Sequence, residues 1–537
     1  MAAKGRSGLD KNNKYDRQLR LWGDHGQTLL EQARVCLVNV TATGTEIIKN
    51  LILPGIGSFT IVDGNKVKGE DVGNNFFLSQ ESIGESRAKI ATELLNELNE
   101  DVSGDYEDEF PETLLQNNPD FFKKFTIVVA TGLSERTLLQ LADVLWQQSV
   151  PLLVCRSYGF IGHVRLVIKE HTVIESHPDN AHEDLRLDRP FPALIKYCDS
   201  LHLETMDKKD HSHTPWLVLI YKYLQEWKNQ HDGLPPQNYK EKNQLKQMIR
   251  EGTRKNADGV PEDEENFDEA VKSVNMALVP TKIPSVVEKL FNDPSAMNLT
   301  SESKPFWILL RAVREFVENE GKGALPLRGS IPDMTSDSER YIQLQNAYVE
   351  QANKDVAVIT DKVNMLTSSL AKGVSITDQE IKLFCKNAAF VQVLRCRSLA
   401  QEYNSQTANT QDIGSHLEDE DEESELIYYV LLRGVDRFYE EYNRYPGGDN
   451  DQVEPDVQLL KGVITKLTHE WGLTSTVKED YIHEICRYGA SELHTVASVI
   501  GGSAAQEVIK IITGQFIPID NTFIYNAVKQ TSLTITL

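Results

Sequence analysis

The chain has 537 residues, of which 40% are hydrophobic and 25% charged, as is typical of a soluble globular protein with about two to four domains. Its formal net charge of −24 disfavours nucleic acid as a partner, because phosphate binding needs a basic surface. The apolar runs are shorter than the roughly 20 residues of a membrane span, and the N-terminus lacks the apolar region of a signal peptide. We therefore expect no transmembrane segment and no secretion.

The six cysteines are widely spaced, and the sequence contains no C-x-x-C pair. A zinc site built from such pairs is therefore not expected, and we predict no metal site in this chain. The pattern indicates a reduced intracellular protein, which we place in the cytoplasm with the nucleus as a second location. The cysteines are Cys36, Cys155, Cys198, Cys385, Cys396 and Cys486.

Strands and helices alternate through residues 35–170. Strands are predicted at 35–38, 59–63, 125–131 and 151–159, and helices at 85–99 and 136–149. Each strand is a nearly continuous apolar run, as expected of parallel strands that are buried on both faces. The alternation predicts a doubly wound, Rossmann-like α/β fold.

The pattern becomes mostly helical from about residue 180 to 485 and returns to α/β in the last fifty residues. Two acidic stretches, 258–269 and 418–425, are interpreted as solvated loops. We predict one α/β domain made of residues 1–170 and 487–537, with a large, mostly α-helical domain, 171–486, inserted into it.

Three segments together resemble a known family. They are "KYDRQLRLWGDHGQ" (14–27), "TGTEIIKNLILPGIGSFTIVDGNKV" (43–67) and "IGGSAAQEVIKIITGQF" (500–516). They are similar to the activating enzymes of ubiquitin and ubiquitin-like proteins, whose core also occurs in the adenylyltransferases of molybdopterin and thiamin biosynthesis. The resemblance implies a ThiF/MoeB-like adenylation fold, with the helical insert equivalent to the family's catalytic-cysteine domain.

The insert and "LPLRGSIPDMTSDSERYIQLQNAY" (325–348) resemble the family's regulatory subunits that serve neddylation. That resemblance implies a heterodimer with a catalytic subunit, which binds ATP and Mg²⁺ and carries the thioester cysteine. The ubiquitin-like modifier of neddylation is the second implied partner. The cytoplasmic tail of amyloid precursor protein is a third.

The family's glycine loop, G-x-G-G-x-G, aligns with a stretch in which most glycines are replaced. Asn39, Thr41 and Ala42 occupy the first three glycine positions, and Gly44 keeps the fourth. The Cβ atoms of Thr41 and Ala42 obstruct the approach of phosphate to the backbone, whereas Gly44 allows the helix to pack closely on the strand. Asp63 matches the family's ribose-binding acid, and a plain turn residue at the strand end is an equally good interpretation.

Other family residues for ATP are also replaced. The phosphate-binding arginine aligns with Asn74, and the lysine that follows aligns with Arg87, which keeps the charge but not the shape. The magnesium-binding aspartate falls near Leu133 and Ser134, so no carboxylate is in register. Phosphoryl chemistry depends on positioning and charge neutralisation, and we therefore expect this chain to bind no cofactor.

The thioester function is expected to be missing as well. The family's catalytic cysteine usually precedes a threonine, and no cysteine of this chain does. Cys385 and Cys396 lie in an apolar stretch and are interpreted as buried. Cys198, in a more polar stretch, is the one weak candidate nucleophile.

Arg17 aligns with a family arginine that reaches into the ATP site of the partner subunit. A guanidinium delivered in this way neutralises charge on the transferring phosphates. The alternative is a surface arginine on a helix, paired with Asp16 or Asp24.

Two further segments are predicted to face the partner on the strength of the resemblance. The first is the loop "DHSHTPW" (210–216), in which we select His213 and expect Thr214 to cap the next helix, with Pro215 as its first residue. The second, 331–346, has helix capping as its alternative interpretation. Its selected residues are Asp333, Met334, Asp337, Tyr341, Gln343 and Asn346.

Three functions remain open at this stage. The leading one is a non-catalytic subunit that contributes Arg17 to its partner's ATP site. The second is a self-sufficient adenylating enzyme with a divergent nucleotide loop. The third is an adaptor that keeps the fold for protein docking alone.

Overall fold

A computed structural model describes residues 8–179, 181, 183–370, 375–418, 424–474 and 477–537. The chain forms two compact units. The first contains residues 8–173 together with 393–537, and the second contains residues 174–392. The first unit is therefore built from both ends of the chain.

A mixed β-sheet forms the centre of the first unit. The strands of the chain are β1 (Arg34–Val38), β2 (Ser58–Val62), β3 (Ser103–Glu107), β4 (Ile127–Thr131), β5 (Leu152–Tyr158), β6 (Ile161–Val167), β7 (His171–Val173), β8 (Gln392–Leu394), β9 (Thr522–Asn526) and β10 (Thr531–Ile535). Within the described residues, eight strands form one sheet in the order β10–β9–β6–β5–β4–β1–β2–β3. Strands β5, β4, β1, β2 and β3 are parallel, and β6, β9 and β10 are antiparallel to their neighbours.

Helices cover both faces of this sheet, as the prediction of a doubly wound fold requires. Val35 and Leu37 of β1 belong to the core on one face, and Cys36 and Val38 belong to the core on the other. The first helices of the chain are α1 (Gly8–Gln32), α2 (Ala42–Ile52), α3 (Gly69–Asn74), α4 (Arg87–Asn96), α5 (Pro111–Asn117) and α6 (Glu135–Gln148), with 3₁₀ turns at Gln80–Ser82 and Pro119–Lys124. Helix α1 is kinked at Gly23, where φ is 66°.

Strand β3 is absent from the sequence-based prediction. Its sequence, "SGDYE", is polar, and most of its side chains are at least partly exposed at the edge of the sheet. An edge strand of this kind lacks the apolar run by which the buried strands β1, β2 and β4 were found.

The second unit is helical. Its core includes Trp216, Leu219 and Phe267, which are buried among apolar side chains of several helices. The helices are α7 (Pro192–Ser200), α8 (Lys208–Ser212), α9 (Trp216–Gln230), α10 (Tyr239–Glu251), α11 (Glu265–Ala277), α12 (Ser285–Phe291), α13 (Pro294–Met297), α14 (Pro305–Glu318), α15 (Ser338–Ser369) and α16 (Asp378–Asn387), with a 3₁₀ turn at Leu203–Thr205.

Two predictions in this unit are wrong in detail. The acidic stretch 258–269 is not entirely a solvated loop, because α11 begins at Glu265. Glu264 is buried and pairs with His211 at 2.6 Å, an arrangement that a charge pattern alone does not indicate.

Helix α9 begins one residue later than expected, with Pro215 at the N-cap, while the Thr214 hydroxyl donates to the Asp210 carbonyl at 2.9 Å. Most of the other acidic stretch, 418–425, lies outside the described residues.

The remaining helices belong to the first unit. They are α17 (Leu399–Tyr403), α18 (Thr410–Glu418), α19 (Leu426–Tyr442), α20 (Val453–Glu470), α21 (Glu479–Tyr488) and α22 (His494–Thr513), with a 3₁₀ turn at Asn450–Gln452. Val430, Leu460 and Ile485 of these helices share a core with Tyr158 and Ile524 of the sheet. The compact second unit therefore ends at 392, whereas the sequence analysis extends the insert to 486. The boundaries at 170 and 486 were predicted by matching the insert to the family's catalytic-cysteine domain, and that match remains a prediction.

Helix α22 is the one described helix with the length and apolar composition of a membrane span. It is a core helix of the first unit, because Ile500, Ala504 and Val508 are fully buried in the apolar cluster that also contains Ile47 and Leu51 of α2.

Candidate functional site: an altered nucleotide turn

The candidate site lies where a doubly wound sheet binds its ligands. The strand order reverses between β1 and β4, so the turns after these two strands diverge at their carboxyl ends. A cleft of about 440 Å³ opens there, next to Asn39, Asp63 and Gly132. The family's nucleotide would occupy this region, and each replaced residue can therefore be examined in place.

Asn39 takes over the backbone conformation of the missing first glycine. Its φ is 66°, in the left-handed region that asparagine tolerates better than most residues. Its side-chain Nδ2 donates to the carbonyls of Thr131 at 2.8 Å and Gly132 at 3.1 Å. Its Oδ1 accepts a hydrogen bond from Arg87. Asn39 thus closes the turn with its own side chain, which occupies space beside the β4 terminus.

Thr41 and Gly44 serve the helix that follows the turn. Thr41 is the N-cap of α2, and its hydroxyl accepts from the Gly44 amide at 3.3 Å. A Cβ on Gly44 would lie 3.0 Å from both methyl groups of Leu37 and 3.2 Å from Thr131 Oγ1. The prediction that Gly44 allows close helix–strand packing agrees with these distances.

Asp63 follows β2 and is fully buried. Its Oδ1 accepts from the backbone amide of Asn65 at 2.9 Å and from the side chain of Asn65 at 2.8 Å. Its Oδ2 accepts from the Val40 amide at 2.9 Å and from Arg87 Nε at 2.8 Å. Four protein donors therefore hold both oxygens, and a ribose hydroxyl would have to displace one of them.

Arg87 is the cation of this site, and carboxylates surround it. Besides Asp63, it bonds Asp71 Oδ1 through Nη1 at 3.0 Å. Burial lowers the pKa of the Arg87 guanidinium, but the charges of Asp63 and Asp71 outweigh that effect, so the pKa stays above its usual value. Its guanidinium donates to acceptors of the protein itself. Arg87, which aligns with the family lysine, therefore serves the structure of this turn.

Glu492 is a site residue that the sequence analysis did not identify. It lies just before α22, and its Oε2 accepts from the Ala42 amide at 3.0 Å. The Thr43 hydroxyl donates to its Oε1 at 2.7 Å. Burial raises the pKa of Glu492, against the hydrogen bonds from Thr43 and Ala42, which lower it. The first amide of α2, which would face phosphate in a nucleotide turn, is thus bonded to a carboxylate of the protein.

The other replaced positions also have structural partners. Asn74 Nδ2 donates to the Glu492 carbonyl at 3.3 Å. Ser134 caps α6 by accepting from the Thr137 amide at 3.3 Å. Among the described residues, no group of three or more His, Cys, Asp or Glu could hold a metal ion. The residues in place do not fit ATP and Mg²⁺.

All six cysteines are buried with free thiols. Cys198, the weak candidate nucleophile, lies in α7 with its side chain fully buried in the core of the second unit. Burial raises the pKa of its thiol well above the ordinary value, and it raises that of Cys385 and Cys486 to about 12. Since the thiolate is the nucleophile, Cys198 is not placed for thioester chemistry, and its candidacy is rejected.

Arg17 lies on the exposed face of α1, and the opposite face of that helix is anchored. Tyr15 is buried and donates to Asp101 at 3.1 Å, and Gln18 donates to the Pro54 carbonyl at 2.6 Å. The guanidinium of Arg17 forms no ion pair with the part of the chain that the structure describes. Asp16, one of its two alternative partners, instead pairs with Arg20 at 3.0 Å.

The selected partner-facing residues divide into exposed and structural ones. Asp333, Gln343 and Asn346 are exposed. Met334 and Tyr341 are partly buried against the core of the second unit. His213 and Asp337 are also partly buried: the Asp337 amide donates to the His213 carbonyl at 3.4 Å, and its carboxylate caps α15 by accepting from the Arg340 amide at 2.9 Å. Helix capping, the alternative interpretation, therefore applies to Asp337.

An open α/β sheet with a strand–turn–helix at its switch point defines the class: an adenylation-type fold whose nucleotide turn has been altered. A model of the ThiF family matches residues 15–536. The NEDD8-activating enzyme E1 regulatory subunit of Gallus gallus is 57% identical over 538 residues, covering 100% of both chains.

Two further relatives carry the same description. The protein of Danio rerio is 58% identical and covers 98% of this chain and 99% of its own length. The AXR1 protein of Arabidopsis thaliana is 40% identical and covers 98% of this chain and 96% of its own length. The chain therefore belongs to the ThiF family and, within it, to the NEDD8-activating enzyme E1 regulatory subunits.

Proposed function

We propose that this chain is the non-catalytic half of a heterodimeric enzyme that activates NEDD8, the ubiquitin-like modifier of neddylation. The partner subunit binds ATP and Mg²⁺, adenylates the modifier and accepts it on a catalytic cysteine. The observation that carries the proposal is the saturation of the nucleotide site by the chain's own groups. Asp63 accepts four protein donors, and the Ala42 amide is bonded to Glu492.

Thioester formation is also assigned to the partner. The nucleophile of that step must be an accessible thiolate. The six thiols of this chain are all buried, and none is in the exposed, electropositive setting that lowers a cysteine pKa. The family resemblance and the burial of Cys198 lead to the same division of labour between the subunits.

Arg17 is the contribution of this chain to the chemistry. Tyr15, Gln18 and Trp22 lie three and four residues apart, and they fix one face of α1. Trp22 Nε1 donates to Gln27 at 3.1 Å, and the Trp22 carbonyl accepts from Gln515 at 2.9 Å. A helix held in this way presents Arg17 with little further loss of entropy. Its guanidinium would stabilise the charge that develops when the partner transfers the adenylyl group.

The surface around Arg17 has the character of an interface. Leu21, one turn further along α1, is 60% exposed. In the second unit, the exposed face of α15 contains Asn346 together with the exposed apolar residues Ile342 and Val349. We assign both surfaces to the catalytic subunit. A permanent interface of this kind buries more than about 2,000 Å².

Two further assignments follow from the family. We place the assembled enzyme in the cytoplasm and the nucleus, where the modifier's targets and ATP are available. The cytoplasmic tail of amyloid precursor protein is proposed as an additional partner, and its binding is open to direct measurement with a peptide of that tail.

The test is ATP–pyrophosphate exchange with NEDD8, measured for this chain, for the catalytic subunit and for the two together. We expect exchange with the two together and none with this chain alone. Arg17→Ala should lower the exchange rate of the assembled pair by about tenfold or more, roughly 1.4 kcal/mol in the barrier. Arg20→Ala, which removes a neighbouring exposed arginine paired with Asp16, is the matched control and should leave the rate unchanged.

The two alternatives predict different results. A self-sufficient adenylating enzyme would catalyse exchange without a partner, and Asp63→Ala would abolish that exchange. A docking adaptor would tolerate Arg17→Ala with no change in rate while the pair stays assembled, as judged by size-exclusion chromatography. Either outcome would overturn the proposed function.

A further inference from the structure

A second cleft lies within the helical unit, among residues that the proposed function does not use. Its volume is about 450 Å³, and most of its lining comes from four segments, 183–186, 276–284, 325–328 and 385–390. All four belong to the second unit. Clefts of about 300–1,000 Å³ are the usual size of small-molecule sites in proteins, so the chemistry of the lining indicates which ligand would fit.

The inner surface of this cleft is largely apolar. Its lining includes Met276, Val279, Pro280, Leu325, Pro326 and Phe390. Val279 is 46% exposed, so part of the apolar lining is open to solvent. Because covering apolar surface is favourable in water, an apolar group of a ligand would gain free energy by entering the cleft.

The charges that line the cleft are mainly positive. They are Arg186, Lys282, Arg328 and Lys386, against the carboxylates of Glu183 and Asp184. Arg186 and Asp184 neutralise each other in an ion pair at 2.5 Å. Lys282 and Lys386 are exposed and form no ion pair with the residues that the structure describes. In a chain with a net charge of −24, this local excess of positive charge favours an anionic ligand.

Arg328 offers a hydrogen-bond donor in this lining. Its guanidinium carbon lies 5.2 Å from the centre of the Phe390 ring. Its Nε is shielded from solvent and has no hydrogen-bond partner in the described part of the chain. A shielded N–H without an acceptor is unfavourable, and the carboxylate of a ligand would supply the acceptor in a charge-assisted hydrogen bond.

Hydrogen bonds within the second unit fix the walls of the cleft. Arg186 Nη2 donates to the Leu325 carbonyl at 2.7 Å and so joins two of the four segments. The Thr281 amide and hydroxyl donate to the Asp188 carboxylate at 2.9 and 2.7 Å, which holds a third segment. A cleft that is already formed costs a ligand less free energy to occupy than one that must be opened.

We propose that this cleft binds a small organic carboxylate with an apolar body. Lys282, Arg328 and Lys386 bind the carboxylate group, and the body lies against the apolar lining around Leu325 and Phe390. The site is independent of the proposed function, because no residue of its lining is assigned there to the catalytic subunit or to the modifier.

The test is isothermal titration calorimetry of the full chain with three probes that share one apolar body. They are 4-phenylbutyrate, 4-phenylbutan-1-ol and 4-phenylbutylamine, which carry a carboxylate, a hydroxyl and an ammonium group. We expect the acid to bind about tenfold more tightly than the alcohol, because charge-assisted hydrogen bonds are the stronger ones, and the amine to bind most weakly. Equal affinities of the acid and the alcohol, or no binding of the acid, would overturn the proposal.

Two charge reversals on α16 locate the carboxylate. Lys386→Glu reverses a cation of the lining, whereas Lys382→Glu reverses an equally exposed cation one turn earlier that is not part of the lining. We expect Lys386→Glu to weaken binding of 4-phenylbutyrate about tenfold and to leave the alcohol unaffected, with no change for either probe in Lys382→Glu. An equal loss in both variants would show only a general effect of charge, and the proposal would fail.

A third variant tests the apolar part of the site. Ala389 is partly exposed in the lining, so Ala389→Leu reduces the space in the cleft without disturbing a buried core. We expect it to weaken binding of both the acid and the alcohol, while thermal unfolding shows that the variant is folded. Unchanged affinity of the acid for this variant would place the ligand elsewhere and contradict the assignment.

Discussion

Asp63, which follows β2, and Arg87, the first residue of α4, form an ion pair of 2.8 Å, with side chains that are 0% and 12% exposed. In a nucleotide-binding relative, an acid at this position would be free to bind ribose. Here the partner of the carboxylate is a buried guanidinium, which Asp71 and Asn39 also bind. The Asp63–Arg87 ion pair therefore stabilises the fold.

The first prediction concerns this pair. Asp63→Asn keeps the size of the side chain but leaves the buried guanidinium of Arg87 without its nearest charge. Breaking one side of a buried ion pair costs about 3–5 kcal/mol, and we expect a value near the lower end because Asp71 remains bonded to Arg87. Urea denaturation of the full chain measures the change in the free energy of unfolding.

The control for this variant is Asp108→Asn. Asp108 pairs with Lys66 at 3.2 Å, but both side chains are more than a third exposed, so the loss should be at most about 1 kcal/mol. If the two variants were destabilised equally, Asp63 would not have the structural role that its four donors indicate.

The second prediction concerns Gly44. Gly44→Ala would place a methyl group 3.0 Å from Leu37 in a core where both neighbouring elements are fixed, and overpacking of this kind costs about 1–3 kcal/mol. Gly462→Ala in α20 has no neighbouring atom within 4 Å of the added methyl group, and it should stabilise the chain by up to about 1 kcal/mol through helix propensity. Opposite signs in thermal unfolding are the expected result, whereas equal effects would contradict the packing role of Gly44.

The sequence was informative where the determinants are local. The altered glycine loop consists of nearby residues, namely Asn39, Thr41, Ala42 and Gly44. The effect of losing or keeping a glycine could therefore be predicted at each position separately. The buried parallel strands could also be predicted, because an apolar run of four or five residues is enough to identify each of them. Arg17 was selected by its match to the family's motif, and its exposure is compatible with both interpretations given for it.

The remaining features depend on long-range contacts. Glu492 bonds a turn 450 residues away, and an acidic residue just before a helix has an ordinary local interpretation as favourable helix-end charge. The polar edge strand β3 is recognisable from its pairing with β2 and not from its composition. The burial of Glu264 depends on His211, 53 residues earlier, so the acidic stretch that contains it resembled a solvated loop.

The third prediction concerns thiol reactivity. All six cysteines are buried, and burial raises the pKa of each thiol. Since thiolates react, the native chain should show no fast-reacting thiol with an aromatic disulfide reagent at pH 8, while the chain in denaturant should show six. One thiol that reacts at the rate of a free cysteine would reopen the question of a nucleophile in this chain.

The fourth prediction concerns His163 of β6. Burial lowers the pKa of its imidazole from the ordinary value to about 4 and outweighs the opposing charge of Glu402, while the positive charges of Arg156 and Arg165 add to the lowering. Its Nε2 is shielded from solvent and has no hydrogen-bond partner in the described part of the chain. The folded protein therefore holds this ring in its neutral form.

The consequence is a loss of stability in acid. Below about pH 6.5 the unfolded chain takes up a proton on this ring and the folded chain does not, so the free energy of unfolding falls as the pH decreases from 6.5 to 4. The pKa difference corresponds to at most about 3 kcal/mol, and this contribution becomes constant about one pH unit above the unfolded pKa and one unit below the folded pKa. His163→Gln should remove this part of the pH dependence, as measured by urea denaturation at intervals between pH 7 and 4. His469→Gln alters an exposed histidine of α20 and should leave the wild-type slope unchanged, and parallel curves for His163→Gln and the wild type would contradict the prediction.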